Sequence, residues 1–121
     1  MVDTLISLQR ARCPVDKLLS EKDLNRIIAR TGGIMNNTNE CILWDGYITH
    51  NKIDYINFYF NGKKCALHRL LYINFRGKLN ENDYLYYTCN NKGKCCNINH
   101  FSKKRSMIKD NNVDDIIIYF D

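Results

Sequence analysis

Cysteine is unusually frequent and clustered in this sequence. Six cysteines occur in 121 residues, and Cys89, Cys95 and Cys96 lie within twelve residues together with His100. The segment that carries them is polar, contains glycine and is rich in turn-forming residues. The N-terminus does not have a basic start followed by an apolar stretch, so we expect no signal peptide and an intracellular protein. Because thiols in such a setting stay reduced, the cluster indicates metal binding and not a disulfide framework.

Structural zinc is the metal that this residue set predicts. A closed tetrahedral site needs four cysteine or histidine ligands. Cys89, His100 and one of the adjacent pair Cys95 and Cys96 supply three, because neighbouring residues rarely both reach one ion. Cys41 is the best candidate for the fourth ligand, since it opens a strand-like stretch in a polar, turn-rich setting.

Two cysteines are isolated from this cluster. Cys13 and Cys65 each stand alone, far from the other cysteines in the sequence. Free cysteine often behaves as a small apolar residue. We therefore expect both to serve in packing.

The net charge indicates a class of binding partner, and the amino-acid composition indicates a kind of source genome. The formal net charge is +5 and the isoelectric point is about 8.9, which favours a polyanionic partner such as nucleic acid. The longest apolar run, Ile116–Phe120, is too short to cross a membrane. Sixteen Asn, fourteen Ile and eleven Lys are typical of an A/T-rich genome, such as that of a large DNA virus or a protist. We expect a cytoplasmic, nuclear or virion protein that is not secreted.

Residues 1–39 are predicted to form a helical N-terminal segment. The first helix spans residues 3–13. The second follows Ser20, which stands three residues before Asp23 in the spacing of a capping box, and it ends at Gly32.

Residues 40–112 are predicted to form a zinc-binding α+β domain. Its clearest signal is a hairpin, because Ile56, Phe58 and Phe60 alternate with other residues and Asn61-Gly62 follows them. Residues 113–121 are predicted to pack on this domain as a last strand or helix. The other predicted elements are strands over Cys41–Ile48, Ile53–Phe60, Lys63–Leu67 and Tyr84–Tyr87, and helices over His68–Phe75 and Ser102–Lys109.

Several short segments stand in a characteristic order over residues 41–101. They are Cys41 with Trp44 and Gly46, the glycine-turn hairpin, His68-Arg69 with Tyr72, Cys89, and Cys95-Cys96-Asn97-Ile98-Asn99-His100. In this order they resemble the His-Me finger endonucleases, also called HNH or ββα-metal nucleases, in their zinc-containing phage and homing-endonuclease branch. The resemblance implies a small zinc-stabilised ββα-metal fold, here with N-terminal helices. It also implies zinc ligands at Cys41, Cys89, Cys95 and His100, which selects Cys95 over Cys96.

The resemblance fails at the catalytic positions. Tyr87 stands where the family has the histidine that activates water, and the pKa of tyrosine is about 10, too high for a base at pH 7. Lys109 stands where the family has a metal ligand, and its charge would repel magnesium. Asn57 corresponds to the arginine that contacts the scissile phosphate. We therefore expect no catalytic residues and an inactive enzyme.

The leading hypothesis is a zinc-stabilised nucleic-acid-binding protein, with DNA favoured over RNA, that acts as an accessory factor in transcription or replication. One alternative is a protein-docking zinc module of a larger assembly, such as a viral RNA polymerase. Another is an active endonuclease with rearranged catalytic residues. The predicted nucleic-acid contacts are Lys63, Lys64, Arg69, Lys103, Lys104 and Arg105.

Overall fold

The chain folds as a small α+β protein with short antiparallel sheets. The computed structural model describes residues 2–32, 39–50, 54–104 and 119–120. Within them, helices α1, α2 and α3 span Val2–Leu8, Glu21–Thr31 and Leu67–Phe75, and strands β1 to β5 span Asn57–Phe60, Lys63–Ala66, Tyr84–Tyr87, Phe101–Lys104 and Tyr119–Phe120. No helix in this described part is long and apolar enough to cross a membrane.

Helix α1 is shorter than the sequence predicts. It ends at Leu8, whereas the predicted helix ran over residues 3–13. The backbone N–H of Arg10 donates to the carbonyl of Asn74 in α3 at 2.7 Å. This tertiary contact therefore uses the backbone N–H that would donate within α1 if the helix continued.

The capping box predicted for α2 is confirmed. The Ser20 hydroxyl accepts a hydrogen bond from the Asp23 N–H at 3.1 Å, and the Asp23 carboxylate accepts one from the Ser20 N–H at 3.0 Å. The helix ends at Gly32, which has a positive φ of 77°. Leu24 and Ile27 are its buried residues.

Strands β1 and β2 form the predicted hairpin. Phe60 pairs with Lys63, and both turn residues have positive φ, 51° at Asn61 and 79° at Gly62. This combination defines a two-residue type I′ turn, which matches the twist of the strands. Phe58 and Phe60 are buried as the alternation predicts.

The predicted strand over Cys41–Ile48 is wrong. Among the described residues this segment makes an isolated bridge between Leu43 and Cys95, flanked by hydrogen bonds from Cys96 N to Ile42 O and from Trp44 N to Lys94 O. Its partner is an irregular loop, so no regular ladder extends along it.

The basic helix predicted over Ser102–Lys109 is also wrong in its described part. Phe101–Lys104 is strand β4, paired antiparallel with β3 from Tyr87↔Phe101 to Tyr84↔Lys104. Pairing with a tyrosine-rich strand outweighs a weak local helix preference. Residues 105–109 lie outside the described residues.

Strand β5 tests part of the prediction for residues 113–121. Tyr119–Phe120 pairs with β4, so the sheet order is β3-β4-β5. This agrees with the strand alternative for these two residues. Residues 113–118 and Asp121 lie outside the described residues.

Asn74 joins the N-terminal segment to the rest of the protein. It lies in α3 and is fully buried. Its side-chain NH2 donates to the carbonyls of Lys17 and Leu70, and its side-chain oxygen accepts from Leu19 N–H and Gln9 Nε2. The N-terminal helices therefore share one core with α3 and the hairpin.

Candidate metal centre

The structure brings the four predicted ligands together. One ligand atom from each of Cys41, Cys89, Cys95 and His100 lies within 4.8 Å of the others. His100 Nδ1 is 3.6 Å from Cys41 Sγ and 3.4 Å from Cys95 Sγ. These side chains are close enough to hold a metal ion, with His100 binding through Nδ1.

The loop between Cys89 and Cys95 is shaped by a turn on Asn91. The Asn91 carbonyl accepts hydrogen bonds from Lys94 N–H and Cys95 N–H, each at 3.1 Å. Gly93 completes the turn with a φ of 82°. It also lies against the backbone of Asp54, where a Cβ atom would collide. Glycine is therefore required here for both backbone conformation and space.

Asn97 holds the other half of the site. Its side-chain NH2 donates to Glu40 O at 2.8 Å, next to Cys41 in the chain. Its side-chain oxygen accepts from Asn99 N–H at 3.0 Å and so caps the short 3₁₀ turn Ile98–His100. Its backbone N–H points to Cys95 Sγ at 3.4 Å. One buried residue thus contacts, through its side chain and its backbone N–H, the segments that carry three of the four candidate ligands.

Burial opposes ionisation of the thiols in the cluster when no cation is bound. Burial raises the pKa of Cys95 to about 12, and burial is also the main cause that raises the pKa of Cys89. Burial opposes ionisation of Cys41 as well, but hydrogen bonds with Asn91, Cys89 and Cys95 outweigh it and lower the pKa. Without a cation the three thiols resist joint ionisation. A metal ion overcomes this resistance by displacing their protons.

The remaining cysteines lie outside the cluster. Cys96 is buried, its backbone N–H donates to Ile42 O, and burial raises its thiol pKa well above the usual range. Cys13 is buried and Cys65 is partly buried. Among the described residues, none of the three belongs to a group that could hold a metal ion.

Tyr87 occupies a closed position beside the metal loop. Only 8% of it is exposed, and its ring lies 5.4 Å from the ring of His68. Tyr87 Oη and His68 Nδ1 are buried with no hydrogen-bond partner in the described part of the chain. Burial, with a smaller effect of Arg69, lowers the pKa of His68 to about 4. His68 is therefore neutral at physiological pH.

The predicted nucleic-acid contacts differ in their accessibility. Lys63 and Lys64 are exposed on the hairpin. Arg69 donates to the backbone carbonyls of Asp83 at 2.7 Å and Asn80 at 3.0 Å, so it braces the connection that leads into β3.

Lys103 and Lys104 do not form one basic surface. They are adjacent in β4, so their side chains point to opposite faces of the sheet. Lys103 Nζ donates to the carbonyl of Lys78 at 3.0 Å. Arg105 and Lys109 lie outside the described residues.

Asn74 and Asn97 are the residues whose roles the sequence did not reveal. Both are fully buried and hydrogen-bonded. The available signal was an Asn on the apolar helix around Leu71 and an Asn directly after the cysteine pair. With sixteen Asn in the chain, neither stood out.

Comparison with known proteins finds a viral relative. An uncharacterized protein of Acanthamoeba polyphaga mimivirus is 46% identical over an alignment of 103 positions, which covers 82% of this chain and 30% of that protein. The chain thus spans about a third of the length of this relative. No family model matches the chain, and no solved structure is significantly similar to it. The viral source of the relative agrees with the genome composition inferred from the sequence.

Proposed function

We propose that the chain is a zinc-stabilised nucleic-acid-binding module on a scaffold of the ββα-metal type, without nuclease activity. This would suit an accessory factor in viral transcription or replication. The proposal has three parts, namely the metal, the binding surface and the lack of catalysis.

Zinc is the ion that suits the cluster best. Zn–S and Zn–N bonds of about 2.3 and 2.0–2.1 Å at a tetrahedral angle place sulfur and nitrogen about 3.6 Å apart. The observed separations from His100 Nδ1 are 3.6 Å to Cys41 Sγ and 3.4 Å to Cys95 Sγ. Three thiolates and one imidazole fill all four positions, as in structural sites, and leave none open for a substrate.

The binding proposal rests on two exposed lysines in the loop between Cys89 and Cys95. Lys92 and Lys94 are exposed on either side of Gly93, which is packed against Asp54. A bound metal would make this loop a rigid support for two cations. Exposed Lys63 and Lys64 add further positive charge on the hairpin. Phosphate contacts from such side chains give affinity that does not depend on base sequence.

The positions that correspond to catalytic residues support an inactive protein. Tyr87 is buried and its hydroxyl is out of contact with solvent, so it is badly placed to activate a water molecule. The amide of Asn57 donates to Thr49 Oγ1 at 2.9 Å, which occupies it within the fold. Active endonuclease chemistry would therefore need residues other than these two.

Fluorescence anisotropy with labelled DNA over a salt series tests the binding. The double variant Lys92→Gln/Lys94→Gln should weaken binding to every sequence alike and reduce the salt slope by about one to two units. The matched control Lys17→Gln/Lys22→Gln removes the same charge from exposed positions on the N-terminal segment and should leave both unchanged. If the parent binds no DNA at low salt, the proposal fails and the protein-docking alternative takes its place.

A further inference from the structure

We propose that the pocket beside β3 binds an unpaired base of single-stranded nucleic acid; this deepens the proposed function and depends on it. The pocket has a volume of about 800 Å³ and lies between β3 on one side and the junction of β2 and α3 on the other. All four residues of β3 line it. In the described sheet the order is β3-β4-β5, so β3 is an edge strand there.

Aromatic side chains give the pocket its character. Tyr55, Tyr84, Tyr86 and Tyr87 all line it. Tyr84 is 59% exposed and Tyr86 37% exposed, so both side chains are accessible to a ligand. The volume of the pocket lies in the range of pockets that enclose small molecules. Stacking on tyrosine is how proteins hold unpaired bases, since every base offers a flat π face.

Two polar atoms at the inner wall lack partners. His68 Nδ1 and Tyr87 Oη make no hydrogen bond within the described residues, although both are buried. Buried polar atoms of this kind are rare and call for an explanation. Both atoms have almost no surface accessible to solvent, so a base seated against this wall would pair with the neutral imidazole and the phenol only after these side chains turn towards it.

The charges at the rim fit a nucleotide chain. Lys92 is exposed and Arg69 is held in place by its backbone hydrogen bonds, and both line the pocket. The one carboxylate there, Asp54, lies 3.0 Å from His50 Nδ1. Phosphates that flank a seated base would meet these cations. A base in a duplex is stacked and paired, so it would enter the pocket only at the cost of leaving the helix.

Binding of two DNA probes by the full zinc-loaded chain tests this inference. Labelled oligothymidylate should bind at least tenfold more tightly than a duplex of equal length at the same salt. Tyr84→Ala should weaken the single-strand complex about tenfold and leave duplex binding unchanged. The matched control is Tyr59→Ala, because Tyr59 is equally exposed at 58% but lies on β1, away from the pocket.

A measurement without substitutions guards against misfolding of a variant. In protein with isotope-labelled tyrosine rings, oligothymidylate should shift the NMR signals of Tyr84 and Tyr86 and leave those of Tyr47 and Tyr59 in place.

The outcomes separate the two proposals. Equal binding of single strand and duplex, with the Tyr84 and Tyr86 signals unmoved, would overturn the base pocket and leave nucleic-acid binding intact. Failure to bind either probe at low salt would overturn both.

Discussion

The side-chain oxygen of Asn74 accepts a hydrogen bond of 3.0 Å from the backbone N–H of Leu19, which lies 55 positions earlier in the chain. Both groups are buried. Because the same amide also binds Lys17 O and Gln9 Nε2, it connects the N-terminal segment to α3 through one side chain. A buried amide whose donors and acceptors are all hydrogen-bonded fixes the geometry of the segments that it joins.

Asn74→Ala should lower the free energy of unfolding by about 3 kcal/mol, since it leaves several buried backbone groups without partners. Chemical denaturation of the zinc-loaded protein measures this. Asn80→Ala, at an exposed position, is the control and should change stability by less than about 0.5 kcal/mol. Equal stability of the two variants would contradict the role given to Asn74.

Gly93→Ala and Gly62→Ala separate backbone strain from steric collision. Both glycines have similar positive φ, 82° and 79°, but a Cβ at Gly62 meets nothing within 4 Å, whereas one at Gly93 meets the backbone of Asp54. Gly62→Ala should cost about 1 kcal/mol from φ alone. Gly93→Ala should cost clearly more and also weaken zinc binding, as shown by denaturation and by competition with a chelator. Similar costs for both variants would mean that the contact with Asp54 is unimportant.

Asn97→Ala tests the residue that orients the ligands. Loss of its bonds to Glu40 and Asn99 should weaken zinc affinity by about 10–100-fold, the usual effect of removing a group that positions metal ligands. Titration with a coloured chelator measures the affinity. Asn99→Ala, whose exposed side chain leaves that backbone bond in place, should retain the parent value.

His68 should make stability depend on pH. Its pKa is lowered to about 4 in the folded protein, against about 6.5 when unfolded, so the unfolded state takes up the proton first. The stabilisation is complete above pH 6.5 and is lost as the pH falls towards 4. Between pH 7 and pH 5 the loss should be on the order of 2 kcal/mol.

The metal ligands also protonate on acidification, so the test compares two proteins. Parent and His68→Asn are unfolded at each pH with zinc in excess. The variant should lose less stability than the parent over this interval. Identical pH profiles would show that His68 is not the group responsible.

Local patterns predicted the parts of the fold that depend on neighbours in sequence. The capping box at Ser20, the turn at Asn61-Gly62 and the alternation through Phe58 and Phe60 each have a short-range cause, and each was found. The four residues that lie close enough to hold a metal ion could also be identified, because metal chemistry restricts residue type and spacing.

The parts that could not be predicted depend on distant partners. Phe101–Lys104 becomes a strand because β3 lies beside it, and the segment after Cys41 stays irregular because it meets the metal loop. Asn74 and Asn97 act on segments more than fifty positions away. Neither hydrophobic periodicity nor secondary-structure propensity contains information on contacts between such distant residues.

Native mass spectrometry of the purified chain is the most direct test of the metal centre, with the adjacent cysteines as a matched pair. The parent and the Cys96→Ala variant should each carry one zinc ion. The Cys95→Ala variant should carry none and should no longer show a cooperative unfolding transition. A metal-free parent with a sharp native NMR spectrum would contradict the account, as would a Cys95→Ala variant that keeps its zinc.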